Sequence, residues 1–479
     1  MPHTHEHLKG KELLLRTFAH EKLEQVPWVP FAGVHAGSLV GYSALDVLTH
    51  EKMLLESLLR ANQIYDPDGQ PVLFDLQVEA EILGCSLAWA QDAPPSVVTH
   101  PLGDLSLQGG GLETRPTTSP LLSGEGVGGE VPLRLPEKTD GRLPMILRVM
   151  AEMKRQVGEK TALYGLVTGP LTLASHLRGT EFFMDIYDNP EFAAQLIDFC
   201  QQVCLRVAGF YVEAGMDVIA VVDPVVSQVS PRTFRSLLLE PFRQVFAGIR
   251  QMGALSSFFV CGDATKNIEV MCQTAPDSIS VDENIDLVAA KAITDRYNIV
   301  MCGNIPLTTR MLLGTQQDNM KFVVDLLDKV GRGNFILSPG CDMPYATPAE
   351  NVVGALQAVR DPENTKVMLA HYQARTFDYE VTLPDYAHLT RPLVEVFTLD
   401  SATCAACGYM LSAATRAVAE FGGQVDMVEY KFTRPENVAR VVKMGIQKLP
   451  SLFINGQLKY SSVIPSNREL LDEIRKVLR

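Results

Sequence analysis

Short apolar runs alternate with longer amphipathic stretches from residue 26 to about residue 340. The β-like runs are VPWVPF (26–31), PVLFD (71–75), ALYGLV (162–167), DVIAVV (217–222), LSSFFVC (255–261), DSISV (277–281), NIVMC (298–302) and FILSP (335–339). The segments between them are amphipathic and long enough for helical crossovers, which successive parallel strands require. Eight such runs predict a (β/α)8 TIM barrel. Pro190-Glu191 opens a helix that stops at Gly215, and Thr347 with Glu350 predicts an N-cap and capping box for the last barrel helix. The Gly-, Ser- and Pro-rich stretch from about 101 to 142 reads as an excursion over the barrel mouth. Within it, Gly109-Gly110-Gly111 is a flexible loop and not a phosphate cradle, because no strand-to-helix context surrounds it.

The pattern changes after about residue 375. Residues 376–392 lack periodicity and read as a linker. Then come VEVFTL (394–399), a helix from Cys407 to Phe421, QVDMVEY (424–430), a helix near 435–444, SLFING, KYSSVI and a terminal helix from about 467. That is βαβαββα in one small domain. The expected organisation is α/β throughout: a barrel over 1–375, the linker, and a second domain over 393–479.

Composition narrows the partners. Of 479 residues, 46 % are hydrophobic and 20 % charged, enough for a large core and too apolar for disorder. No run approaches the ~18 apolar residues of a membrane span, and the opening MPHTHEHLKG has no secretory core, so a cytoplasmic protein is expected. Lys and Arg number 42 against 56 Asp and Glu, a net charge of -14 with no basic run, which excludes nucleic acid. The nine cysteines are scattered, so no secreted-type disulfide framework is expected. Cys85, Cys200, Cys204, Cys272 and Cys302 read as core residues, and His3, His5 and His7 as solvated.

The sharpest chemical signal is TLDSATCAACGYM, where Cys404 and Cys407 follow a strand and open a helix. A helix N-terminus stabilises a thiolate, so Cys404 is the expected nucleophile and Cys407 the resolving thiol. The spacing also fits half of a zinc site, but no second CxxC or His pair follows. With Leu449-Pro450 before SLFING, these residues resemble thioredoxin and glutaredoxin domains, and the resemblance implies a cis Pro450 facing a redox-active dithiol. The usual Trp-Cys-Gly-Pro-Cys is replaced by Thr-Cys-Ala-Ala-Cys.

In a barrel, functional groups sit at the C-terminal ends of strands. Asp75, Cys261 with Asp263, Asp282-Glu283 and Cys341 occupy such ends, and Asp223 and Asn304 follow two more. Two thiols and a carboxylate converging there fit a tetrahedral zinc site; isolated buried thiols are the plainer reading. Asp223 and Asn304 either bind a ligand or cap strand ends.

The stretches GLVTGPLTLASHLRGTEF, VEAGMDVIAVVDPVVSQVSP, VCGDATKNIEVM, ISVDENIDL, MCGNIP and LSPGCDMPYATPAENV resemble the uroporphyrinogen decarboxylase superfamily, which includes cobalamin-dependent methyltransferases. The decarboxylase branch implies paired arginines after the first strand. Here that stretch is Val34-His35-Ala36-Gly37-Ser38, and no arginine lies between Arg16 and Arg60. Only its aspartate survives, as Asp75. The methyltransferase branch implies a zinc held by His-x-Cys and a later Cys; Cys261 and Cys341 match, Asp282 maps to an acidic ligand, and the histidine position is Phe259. Glu283, Asp263 or His35 would have to supply another ligand, or the site has lost zinc and uses an acceptor such as tetrahydrofolate.

The expected function is a corrinoid-dependent methyltransferase. A methyl group passes between a small methylated donor, or a thiol or tetrahydrofolate acceptor, and a corrinoid. No D-x-H-x-x-G pattern of a corrinoid-binding domain occurs, so the corrinoid is expected on a partner protein. The fused dithiol would keep Cys261 and Cys341 reduced, reduce another partner, or act as the thiol acceptor. The alternatives are a uroporphyrinogen decarboxylase-like lyase acting on a tetrapyrrole, and a thiol–disulfide oxidoreductase whose barrel recognises the client. A homodimer is the assembly to test.

Overall fold

The computed structural model describes residues 8–103, 133–374, 379–401 and 405–478. Cys404, His3, His5, His7, Gly109 to Gly111 and most of the expected excursion lie outside the described residues. Seven parallel strands form one curled sheet in chain order: β1 (Gly69–Pro71), β2 (Ala162–Thr168), β3 (Val218–Val222), β4 (Leu255–Val260), β5 (Ser278–Val281), β6 (Val300–Ile305) and β7 (Phe335–Pro339). Their near-continuous apolar sequences follow from burial on both faces.

The eighth position is taken by Pro27–Val29. Trp28 makes a parallel bridge to Leu337. Val29 N donates to Leu337 O at 3.0 Å, Leu337 N donates to Pro27 O at 2.9 Å, and on the other side Asp68 N donates to Trp28 O at 2.9 Å. The barrel therefore closes. The run 26–31 falls short of a regular strand because Pro27 and Pro30 offer no N–H to the ladder. The run expected at 71–75 is displaced towards the N-terminus, to Gly69–Pro71.

Side chains fill the barrel interior: Phe31, Phe74, Tyr164, Leu166, Val222, Phe259 and Ile336 form one buried cluster, and Cys261 and Cys341 pack against it. A larger cluster lies between the sheet and the outer helices. The long helix α2 (Pro190–Glu213) begins on its proline and ends before Gly215, whose φ of 98° is a left-handed conformation that suits glycine. One local expectation fails. The helix Ala349–Arg360 has Pro348 at its N-cap without a side-chain cap, and the Thr347 hydroxyl is buried without a partner. Thr347 N instead closes a turn onto Pro344 O at 3.0 Å, which places Thr347 one residue before the cap.

The C-terminal domain carries a four-stranded sheet of β8 (Leu393–Thr398), β9 (Asp426–Lys431), β10 (Ser451–Ile454) and β11 (Gln457–Ser461), in the order β9-β8-β10-β11. β8 and β9 are parallel; β10 runs antiparallel to β8 and β11. Met410, Ala414 and Ala417 of one helix and Leu470 and Ile474 of another pack on Val394, Val396, Leu452 and Ile454. Phe397, Val441, Leu449 and Phe453 form a second cluster. The Leu449–Pro450 bond is cis, as the resemblance implied. Among the described residues, no helix is long and apolar enough to cross a membrane.

Candidate active site at the barrel mouth

The strand ends bring together residues far apart in sequence. Cys261, one residue past β4, and Cys341, two past β7, are joined as a disulfide across 80 residues, with Cα atoms 6.4 Å apart. Both are half-buried at the top of the interior cluster. In this structure each sulfur is bonded to the other, where the sequence left the two as separate thiols or as ligands of a metal.

Asp282, after β5, ties two loops together. Its carboxylate accepts from Gly262 N, from Asn284 N at 2.9 Å and from Asn284 Nδ2 at 3.0 Å. Burial pushes its pKa up, against those bonds. Gly262 has φ of 87°, so the turn that presents Cys261 needs a glycine. Asn304, on β6, donates from Nδ2 to Asp282 O at 2.9 Å and Ile285 O at 3.0 Å. It clamps the Asp282 loop from below, and both of its amide hydrogens are engaged.

Glu283 is different. Its Oε1 accepts from Leu307 N at 3.1 Å, while Oε2 is buried with no hydrogen-bond partner. Burial, with Asp282 beside it, pushes the carboxyl up to about 8. A Cβ at residue 340 would lie 2.6 Å from Oε2, so Gly340 gives this carboxyl its room directly before Cys341. A buried, poised carboxyl at a barrel mouth is what proton transfer requires.

The remaining candidates are engaged. Asp75 pairs with Arg142 Nη1 at 2.6 Å, and Arg142 Nε also binds Glu81 at 2.7 Å. Asp223 accepts from Leu171 N at 2.9 Å, Thr172 N at 3.0 Å and Thr172 Oγ1 at 2.6 Å. It thereby caps the N-terminus of α1 (Pro170–Arg178), whose orphan N–H groups need an acceptor. Burial pushes it up to about 7. These contacts are those of a cap. His35 is buried between Tyr65 Oη (2.7 Å from Nε2) and Tyr345 O (3.1 Å from Nδ1), and burial lowers it to about 4. Asp263 accepts from Thr265 Oγ1 at 2.6 Å and pairs with Lys448. Phe259 is fully buried, its ring 4.9 Å from Phe31 and 5.7 Å from Phe74.

Sequence reasoning missed Asp342. It follows Cys341, accepts from Gly33 N at 2.7 Å, and burial pushes it up to about 8. Its only signal was position after a strand end. Cys407 is buried near the start of α3 (Ala405–Ala419), and its sulfur accepts from Leu399 N at 3.3 Å.

The family model for uroporphyrinogen decarboxylase (URO-D) matches residues 9–107 and 118–362, and a thioredoxin domain model matches 393–476. The chain is 26 % identical over 298 residues to methylcobamide:CoM methyltransferase MtbA of Methanosarcina acetivorans, covering 60 % of this chain and 78 % of that protein. It is 32 % identical over 225 residues to methylcobamide:CoM methyltransferase MtaA of Methanosarcina barkeri, covering 46 % and 64 %. A solved methyltransferase from Methanosarcina mazei shares the fold at a TM-score of 0.63 and 23 % identity, covering 74 % of this chain and 98 % of that one. The chain belongs to the uroporphyrinogen decarboxylase (URO-D) family and stands with its methyltransferases, joined to a C-terminal thioredoxin domain.

Proposed function

We propose that the protein moves a methyl group at the barrel mouth, between a corrinoid carried by a separate protein and a small thiol, folate or methylated compound. The charge of the mouth supports this reading most directly. Asp75, Asp282, Glu283 and Asp342 crowd the strand ends, and the guanidinium of Arg142 already serves Asp75 and Glu81. The short helix His35–Ser38 offers no cation, because burial holds His35 neutral. A tetrapyrrole with many carboxylates would meet these four acidic groups, and the arginine beside them is already paired with two carboxylates. The named activities of the relatives point the same way.

Zinc would activate a thiol by stabilising its thiolate. The donor set here does not fit it. The two sulfurs are bonded to each other, Asp282 has three hydrogen bonds on its carboxylate, and Phe259 stands in the aromatic core at the family's histidine position. Among the described residues, no three metal-ligating side chains come together. Dialysis of the protein as isolated against a chelator is expected to leave its melting temperature within ~1 °C, well under the shift that ~1 kcal/mol of metal stabilisation would give. A fall of several degrees would reinstate a resident metal.

The corrinoid supplies or receives the methyl group; the other tasks fall to this chain. Asp282 and Asn304 fix the loops, the aromatic interior excludes water from below, and Glu283 takes the proton of an acceptor thiol. The test uses reduced protein with methylcobalamin under anaerobic conditions, with a thiol sulfonate, a neutral thiol and tetrahydrofolate in separate arms. Loss of methylcobalamin absorbance with an S-methyl or N-methyl product in one arm is expected. No methyl loss in any arm, with carbon dioxide released from a porphyrinogen, would return the chain to the decarboxylases.

A further inference from the structure

The C-terminal domain contacts barrel elements at the strand ends, among them the loop that follows Cys261. α3 packs on the turn Pro224–Gln228 that follows β3. Ser227 of that turn lies against Gly262, 2.9 Å from where a Cβ would stand, and Gly262 follows Cys261. Two residues past Cys407, the Tyr409 hydroxyl meets Ser175 Oγ at 2.6 Å. Its ring stands edge-on to Phe183 with centroids 6.2 Å apart. From the loop before the cis bond, Lys448 forms an ion pair with Asp263, two residues past Cys261. Against the desolvation that opposes it, this ammonium helps hold Asp263 below its ordinary range. In thioredoxin folds the CxxC helix and the cis-proline loop meet a client; here Tyr409 of that helix contacts Ser175 and Phe183, and Lys448 of the loop before Pro450 pairs with Asp263, two residues past Cys261.

We propose that the C-terminal domain is an intramolecular reductase of the Cys261–Cys341 disulfide. Cys404, three residues before Cys407 in sequence, attacks one barrel sulfur as thiolate. The barrel S–S bond breaks, and the other barrel sulfur leaves as a thiolate and takes up a proton. Cys407 then attacks Cys404 in the mixed disulfide and releases the second barrel thiol. Two electrons pass, the barrel becomes a dithiol, and the Cys404–Cys407 disulfide is re-reduced by an external dithiol. The Leu399 N–H at the Cys407 sulfur stabilises its thiolate for the second attack. Both barrel cysteines are half-buried and not sealed in the core.

Limiting dithiothreitol, acid quenching and thiol mapping of the full chain test this without any methyl transfer. The Cys407→Ser protein is expected to accumulate a peptide linking Cys404 to Cys261 or Cys341. Barrel thiols should appear at least ~10-fold faster in wild type than in the Cys404→Ser/Cys407→Ser protein, at a rate independent of protein concentration, as an intramolecular step requires. Equal rates in the two proteins, or a rate proportional to protein concentration, would overturn the proposal. Either result leaves the methyltransferase reading untouched, because methylcobalamin turnover in excess reductant is a separate readout.

Discussion

Glu283→Gln is expected to lower methyl transfer by on the order of 10²–10³-fold at pH 8.5, the usual range for removing a general base. The wild-type rate should climb with pH and level off above about 8, where Glu283 ionises, and the variant should lose that climb. Glutamine keeps the size and the Leu307 N–H contact, so the pocket under Gly340 stays filled. Stability separates a catalytic loss from a folding loss. Glu283 holds its proton to higher pH in the folded chain than in the unfolded one. The folded state thus binds more protons between about 4.5 and 8, and stability falls as pH rises through that window. Glutamine does not titrate, so the variant should melt above wild type at pH 8.5 and level with it near pH 4. A variant that melts higher yet retains more than about a third of wild-type turnover would show that the carboxyl only fills space.

The barrel was legible because parallel strands buried on both faces leave apolar runs that need no long-range information. Strand ends then located Cys261, Asp282, Asn304 and Cys341 at one mouth. What the pattern could not show is how each group is used. Asp223 and Glu283 both follow strands in sequence. The first has its carboxylate filled by the orphan N–H groups of α1, the second takes one N–H from Leu307 and leaves Oε2 without a partner, and only coordinates distinguish them. The bond between Cys261 and Cys341 depends on a Cα separation that 80 intervening residues do not encode locally. Interdomain contacts left still less trace. Tyr409 and Lys448 read as ordinary helix and loop residues, because the partners Ser175 and Asp263 lie more than 180 residues away. The first strand was visible as an apolar run, but its two prolines remove N–H donors, so its ladder to Leu337 and Asp68 is short and irregular.

That closure sets the second large effect. Asp68→Ala is expected to destabilise the barrel by about 3–5 kcal/mol, read as a lower urea midpoint. The Asp68 side chain is fully buried and accepts from Trp28 N at 2.7 Å, from Gly10 N, and from Arg360 Nη1 and Nη2 at 2.8 Å and 2.9 Å. Burial pushes its carboxyl up against the pull of Arg360, so the ionised pair adds little over a neutral acceptor of the same shape. The cost of alanine lies in what it strands: a guanidinium and two N–H groups at the seam where Trp28 bridges to Leu337. Asp68→Asn keeps one acceptor oxygen for two of these four donors and turns an NH2 toward the other two, so it should recover part of the loss but not all of it. Equal losses for the two variants would place the energy in the charge pair instead. The seam also bears on chemistry, because Leu337 lies on the strand that leads to Cys341. A loosened Pro27–Val29 lets that strand end drift from Cys261, and the alanine variant should re-form the Cys261–Cys341 disulfide more slowly after reduction than the asparagine variant does.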